Sequence, residues 1–224
     1  MMTALSPFLN PTYIIAILIA VSFHECAHAF VAHRLGDPTA RENGRLTLNP
    51  IAHLDLVGAI LFLTVGFGWA KPVPVNSSYF RKPKRDLSLV ALAGPVSNLI
   101  LAFIAFLILF FVTHGNSLSA EGLLQHPDNS NIGLAVLLQI LQSSIFVNLA
   151  LMAFNLIPLA PLDGSNILRA FIPYQFEQRY EEFSRISPFI LLALVILPNS
   201  FLSTWIYTII GWVLAGFFGV VGWM

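Results

Sequence analysis

Residues 13–35 read YIIAILIAVSFHECAHAFVAHRL: an apolar run with His24, Glu25, His28, His33 and Arg34 set into its second half. Roughly 20 apolar residues in a helix cross about 30 Å of hydrocarbon, so the run predicts a membrane span. Ionisable groups at that depth are expensive and usually functional, so it also predicts a working site inside the span. A signal peptide would need a basic leading region and a small-residue cleavage site, and neither is present. Three further stretches are nearly free of charge: 87–112, 132–162 and 188–222, the last interrupted at Pro198-Asn199-Ser200. The chain of 224 residues is 57% hydrophobic and 10% charged, far from the roughly 25% charge of soluble domains. Eleven basic and eleven acidic residues cancel, which excludes a basic nucleic-acid binder, and one cysteine, Cys26, excludes an internal disulfide.

The expected fold is therefore an α-helical polytopic membrane protein, a single domain over 1–224 with about four to six transmembrane helices. Charge placement refines it. All eleven Lys and Arg residues fall within 34–85 or 169–185, and basic loops stay in the cytoplasm. Residues 56–69 (LVGAILFLTVGFGW) are apolar but short, and basic groups flank them on both sides: Arg41 and Arg45 before, Arg81, Lys82, Lys84 and Arg85 after. A segment with both ends on one side dips and returns. The region 37–85 is thus expected to be cytoplasmic, re-entrant and partly β, the alternative being a short true span. The loop 113–131, with Glu121 and Asp128 and no basic residue, is then external, and 163–187 is cytoplasmic.

His24-Glu25-Cys26-Ala27-His28 is an H-E-x-x-H pattern. Residues four apart share a helix face, so two imidazoles aim at one cation, with Glu25 beside them to take a proton from metal-bound water. Catalytic zinc usually has a third protein ligand and one open position. His33, His53, Asp55, Asp163 and Cys26 are the candidates. Cys26 lies two residues from His24, nearly on the opposite face. Asp163 closes an apolar run broken by Pro158 and Pro161 and precedes Gly164. Spacing alone leaves it open whether Asp163 binds metal or caps a helix.

H-E-x-x-H in a first span, with Asn155-Leu156-Ile157-Pro158-Leu159-Ala160-Pro161-Leu162-Asp163-Gly164 at the end of a later one, resembles the site-2 proteases, the intramembrane zinc metalloproteases. Segments 44–50 (GRLTLNP), 68–76 (GWAKPVPVN) and 93–98 (AGPVSN) are similar to those of its compact prokaryotic members. The resemblance implies one zinc per chain held by His24, His28 and Asp163, with Glu25 as catalytic base. It implies transmembrane protein substrates and a bilayer setting in a prokaryotic cell membrane, while the charge placement puts the active site towards the cytoplasm. The loop 113–131 is too short for a PDZ domain and nothing follows the last apolar stretch, so a minimal core is expected. Asn98 and Asn155, polar groups at membrane depth, are candidates for holding substrate or transition state, or for joining helices. A metal transporter is the rival reading, but its ligands would line a path across the bilayer. An inactive homologue would lack the base, and Glu25 is present.

Overall fold

The computed structural model describes residues 10–65, 68–113, 132–197 and 201–222. The first helix, α1 (Pro11–Arg34), starts where the Asn10 side chain accepts from the Thr12 amide at 3.0 Å and Pro11 occupies a position needing no N–H donor. It ends with His33 and Arg34 at the negative pole of the helix. Its 24 residues rise about 36 Å, enough to cross a bilayer. Three others match it among the described residues: α5 (Pro83–Val112), α6 (Ile132–Asn155) and α9 (Phe201–Val221).

These helices pack through one spacing. The buried face of α1 runs Ala16, Ala20, His24, His28, Ala32, each four residues from the last. On α5 the buried face runs Asp86, Val90, Gly94, Asn98, Ala102, Phe106, again in fours. Small residues at this interval let helix backbones approach, which drives association where lipid leaves little hydrophobic gain. α5 packs against both α1 and α6, and α1 against α6. A separate apolar core, built on Phe106, Leu109, Leu141, Ile145, Leu149 and Phe217, joins α5, α6 and α9. Outward-facing Ile15, Ile19, Ile100, Ile104 and Ile108 are exposed, an apolar surface suited to lipid. The fold is that of a multi-pass membrane protein.

The expected β content of 37–85 is not found: no strand occurs among the described residues. Among its described residues the region holds three short α-helices, α2 (Thr39–Glu42), α3 (Pro50–His53) and α4 (Leu56–Val65), a 3-10 turn at Ser77–Tyr79, and one isolated antiparallel bridge, Leu54 to Ala70. The reason lies in the returning segment. Pro72 and Pro74 lack the N–H groups a ladder needs, so pairing stops after Lys71 donates to the His53 carbonyl at 2.8 Å. Arg45 takes the place of a neighbouring strand, donating to the Lys71 and Pro72 carbonyls beside buried His53. Both ends of 56–69 are therefore fastened together. Within this hairpin, a Cβ on Gly58 would lie 2.1 Å from the Trp69 carbonyl, and one on Gly68 would lie 2.2 Å from the Gly58 carbonyl. Only glycine allows that backbone contact.

Two boundaries also shift. The third apolar run leaves the helix at Asn155, because Pro158 and Pro161 supply no donors, and residues 156–162 turn before α7 (Asp163–Arg169). The final run divides into the end of α8 (Glu177–Ile196) and α9. The expected break at Pro198 and nearly all of the expected external loop 113–131, from residue 114 on, lie outside the described residues.

Candidate metal centre

His24 and His28 lie one turn apart on α1, with rings at 4.6 Å and nearly perpendicular. Asp163 meets them from the first turn of α7, its Oδ2 3.1 Å from His24 Nε2 and 3.4 Å from His28 Nε2. One ligand atom from each of the three residues lies within 4.8 Å of the others.

The hydrogen-bond network determines which protons are present. The Ser144 carbonyl can only accept, so the Asn148 amide nitrogen faces it at 2.8 Å and the Asn148 oxygen faces Asn98. Asn98 Nδ2 donates to that oxygen at 2.8 Å and to the Ala20 carbonyl at 3.2 Å. Asn98 Oδ1 is then the acceptor for His24 Nδ1–H at 2.6 Å. His28 Nδ1–H donates to the Val90 carbonyl at 2.7 Å. In the neutral imidazoles each Nε2 therefore carries a lone pair. Both lone pairs face the Asp163 carboxylate, whose Oδ2 is buried without a hydrogen-bond partner. Three acceptors turned towards one point repel each other unless a cation lies between them.

The donor set suits zinc. Ligand bonds of about 2.0–2.1 Å in a tetrahedron put neighbouring donors about 3.3 Å apart, and the two separations to Asp163 are 3.1 and 3.4 Å. Histidines whose second nitrogen is held by a carbonyl or amide are typical of metal ligands. Space is reserved as well: a Cβ on Gly94 would lie 2.5 Å from His24 Cε1 and 2.5 Å from His28 Nε2. Glu25 is half-buried on the same turn, and among the described residues no donor pairs with its carboxylate.

The other candidates lie elsewhere. His53 Nε2 donates to the Thr47 carbonyl at 2.8 Å, and Asp55 accepts from the Gly58 amide at 2.8 Å. His33 faces Arg41, and Cys26 is a free thiol outside the cluster. Asn98 is fully buried on the Nδ1 side of His24, with its amide engaged by three protein groups. Asn155 donates to the Leu151 carbonyl within its own helix. Asn148 and Gly94 escaped sequence reasoning as members of the site. An asparagine inside an apolar span was the available signal for the first, and a Gly-Pro pair in mid-span for the second.

Comparison with known proteins places residues 12–198 in a match to the family described as Peptidase family M50. A Bacillus subtilis (strain 168) protein named "Putative zinc metalloprotease YwhC" is 46% identical over 166 residues, covering 74% of this chain and 71% of the relative. A Mycobacterium tuberculosis protein named "Putative zinc metalloprotease Rip2" is 33% identical over 216 residues, covering 92% of this chain and 70% of the relative. A Methanocaldococcus jannaschii protein named "Putative zinc metalloprotease MJ0611" is 28% identical over 156 residues, covering 68% of each. No solved structure matches the chain.

Proposed function

The chain belongs to peptidase family M50 and is a zinc metalloprotease; on that premise we propose that it hydrolyses peptide bonds of membrane-spanning substrates, with His24, His28 and Asp163 as zinc ligands and Glu25 as general base. The observation that carries this reading is the convergence of two imidazole lone pairs and an unpartnered carboxylate inside a bundle of helices long enough to span a bilayer. When bound, zinc supplies a Lewis acid that lowers the pKa of water towards about 7 and polarises a carbonyl.

The protein's own groups do the rest. Glu25 accepts the proton of the attacking water and returns it to the leaving amine. Asn98, held by Ala20 and Asn148, keeps His24 in the tautomer that presents Nε2, and Val90 does the same for His28. Asn155, near the turn that delivers Asp163, is available to hold substrate backbone. A helical substrate hides each carbonyl in an internal hydrogen bond and must unwind to be cut. Residues 73–75 belong to no helix, turn or ladder among the described residues, so their backbone is available for strand addition. The hairpin 56–69, fastened at Leu54 and Ala70, would re-enter the bilayer beside them.

The active site faces the cytoplasm. It lies in the second half of α1 and beside the first residue of α7, nearer the end of the bundle that carries Arg34, the cluster 81–85 and Arg169, the end the positive-inside rule puts in the cytoplasm. The setting is a prokaryotic cell membrane.

Purified protein given a tagged single-span substrate should cut it, while Glu25→Gln should hold equal zinc and cut nothing. Cleavage by that variant near the wild-type rate would remove Glu25 from the chemistry. Metal uptake into proteoliposomes without cleavage would favour a transporter instead.

A further inference from the structure

An open cleft of about 820 Å³ lies away from the metal centre, between the start of α5 and the segment joining α7 to α8. Arg81, Lys82, Lys84, Arg85 and Arg169 line it, against the single acid Glu177. The acids nearby are already engaged. Glu177 pairs with both Lys84 and Arg169, and Asp86 accepts from Arg85 at 2.7 Å. Arg81 and Lys82 are exposed, and among the described residues neither side chain forms an ion pair. Positive charge is therefore left over at the mouth of a preformed cleft. α5 also opens there, and the one acid of its first turn, Asp86, is already taken by Arg85 and by the Lys82 amide at 2.9 Å.

The level of the cleft selects its occupant. The uncharged run of α5 begins at Leu87, less than one turn beyond Arg85, so the cleft sits at the edge of the hydrocarbon. Its rim carries Phe171, 78% exposed, and Tyr174, 84% exposed. Aromatic rings at that level belong among lipid headgroups. Lys84 lies 4.6 Å from the centre of the Tyr174 ring and ties the rim to α5.

We propose that this cleft binds the phosphate of an anionic phospholipid headgroup. Basic pockets between membrane helices bind such headgroups through the same charge balance. α7 connects the two sites, with Asp163 at its first residue and Arg169, which lines the cleft, at its last. A bound headgroup therefore braces the segment that presents Asp163.

The test is native mass spectrometry of the full chain in detergent, titrated with short-chain phosphatidylglycerol or phosphatidylcholine. Wild type should prefer phosphatidylglycerol. Each Lys or Arg near an anionic headgroup contributes roughly fivefold, so Arg81→Gln with Lys82→Gln should cut that preference roughly thirtyfold. Either single replacement should cost about fivefold, which keeps the test decisive if the double variant does not fold. Arg179→Gln with Arg185→Gln, an equal loss of charge outside the cleft, should leave the preference unchanged. Equal losses in the two double variants would overturn the proposal. Inorganic phosphate competing as well as the lipid would assign the cleft to a free anion, and a glutamate-rich peptide outcompeting the lipid would assign it to a protein. Either result would overturn the lipid assignment.

Discussion

Replacing Asn98 by alanine separates two roles for this residue. If it positions His24, the loss falls on the metal; if it holds substrate, the loss falls on KM. The structure favours the first, because Asn98 Oδ1 accepts from His24 Nδ1 at 2.6 Å while its amide nitrogen is engaged by Ala20 and Asn148. Removing such a support from a metal-binding histidine costs about 10- to 100-fold in affinity, or roughly 1.4 to 2.7 kcal/mol. The fold suffers too, since His24 Nδ1–H and Asn148 Oδ1 are left buried without partners at about 1–3 kcal/mol each. Asn98→Asp is the companion variant. It keeps an acceptor for His24 but turns an oxygen towards the Ala20 and Asn148 oxygens. Stability should fall while zinc affinity holds. The assay is zinc competition against a chromogenic chelator in detergent, with kcat and KM then measured at saturating zinc. A folded Asn98→Ala protein with zinc affinity within about threefold of wild type and a raised KM would refute the positioning role.

Gly94→Ala should displace both imidazoles, because the new methyl would lie 2.5 Å from each. Zinc occupancy measured by elemental analysis should fall, with about 1–3 kcal/mol lost from the fold through overpacking. Normal zinc and activity would mean that α5 does not approach the rings so closely. Asp163→Ala should lower zinc content and abolish cleavage, and full occupancy with normal activity would remove Asp163 from the ligand set. The brace between α5 and α8 should be acid-sensitive. Lys84 and Arg169 hold the Glu177 carboxyl below its ordinary 4.5, so its contribution is complete above that value and is lost as pH falls through the lower folded value. The melting-temperature gap between wild type and Glu177→Gln should therefore narrow as pH drops below about 4.5, and a gap constant with pH would contradict the pairing.

Much of this protein is legible in the sequence because much of it depends on local periodicity. A helix needs only its own run of apolar residues to be recognised in 13–35, 87–112 and 132–162, and His24 and His28 share a face because they are four apart. Charge placement is also a one-dimensional property, and it is the ground for reading the two flanks of 56–69 as lying on one side. The β content expected in 37–85 failed where pairing depends on a partner. Pro72 and Pro74 end the ladder after one bridge, and Arg45 occupies the carbonyls a strand would have used. The supports of the metal centre were hidden for a related reason. Asn98 reaches His24 across 74 positions and Asn148 across 50, and which buried amide meets which imidazole is decided by how three helices align. From the sequence, Asn98 could equally have faced a substrate. Packing turned it towards Nδ1, and that contact is what leaves Nε2 free for a metal.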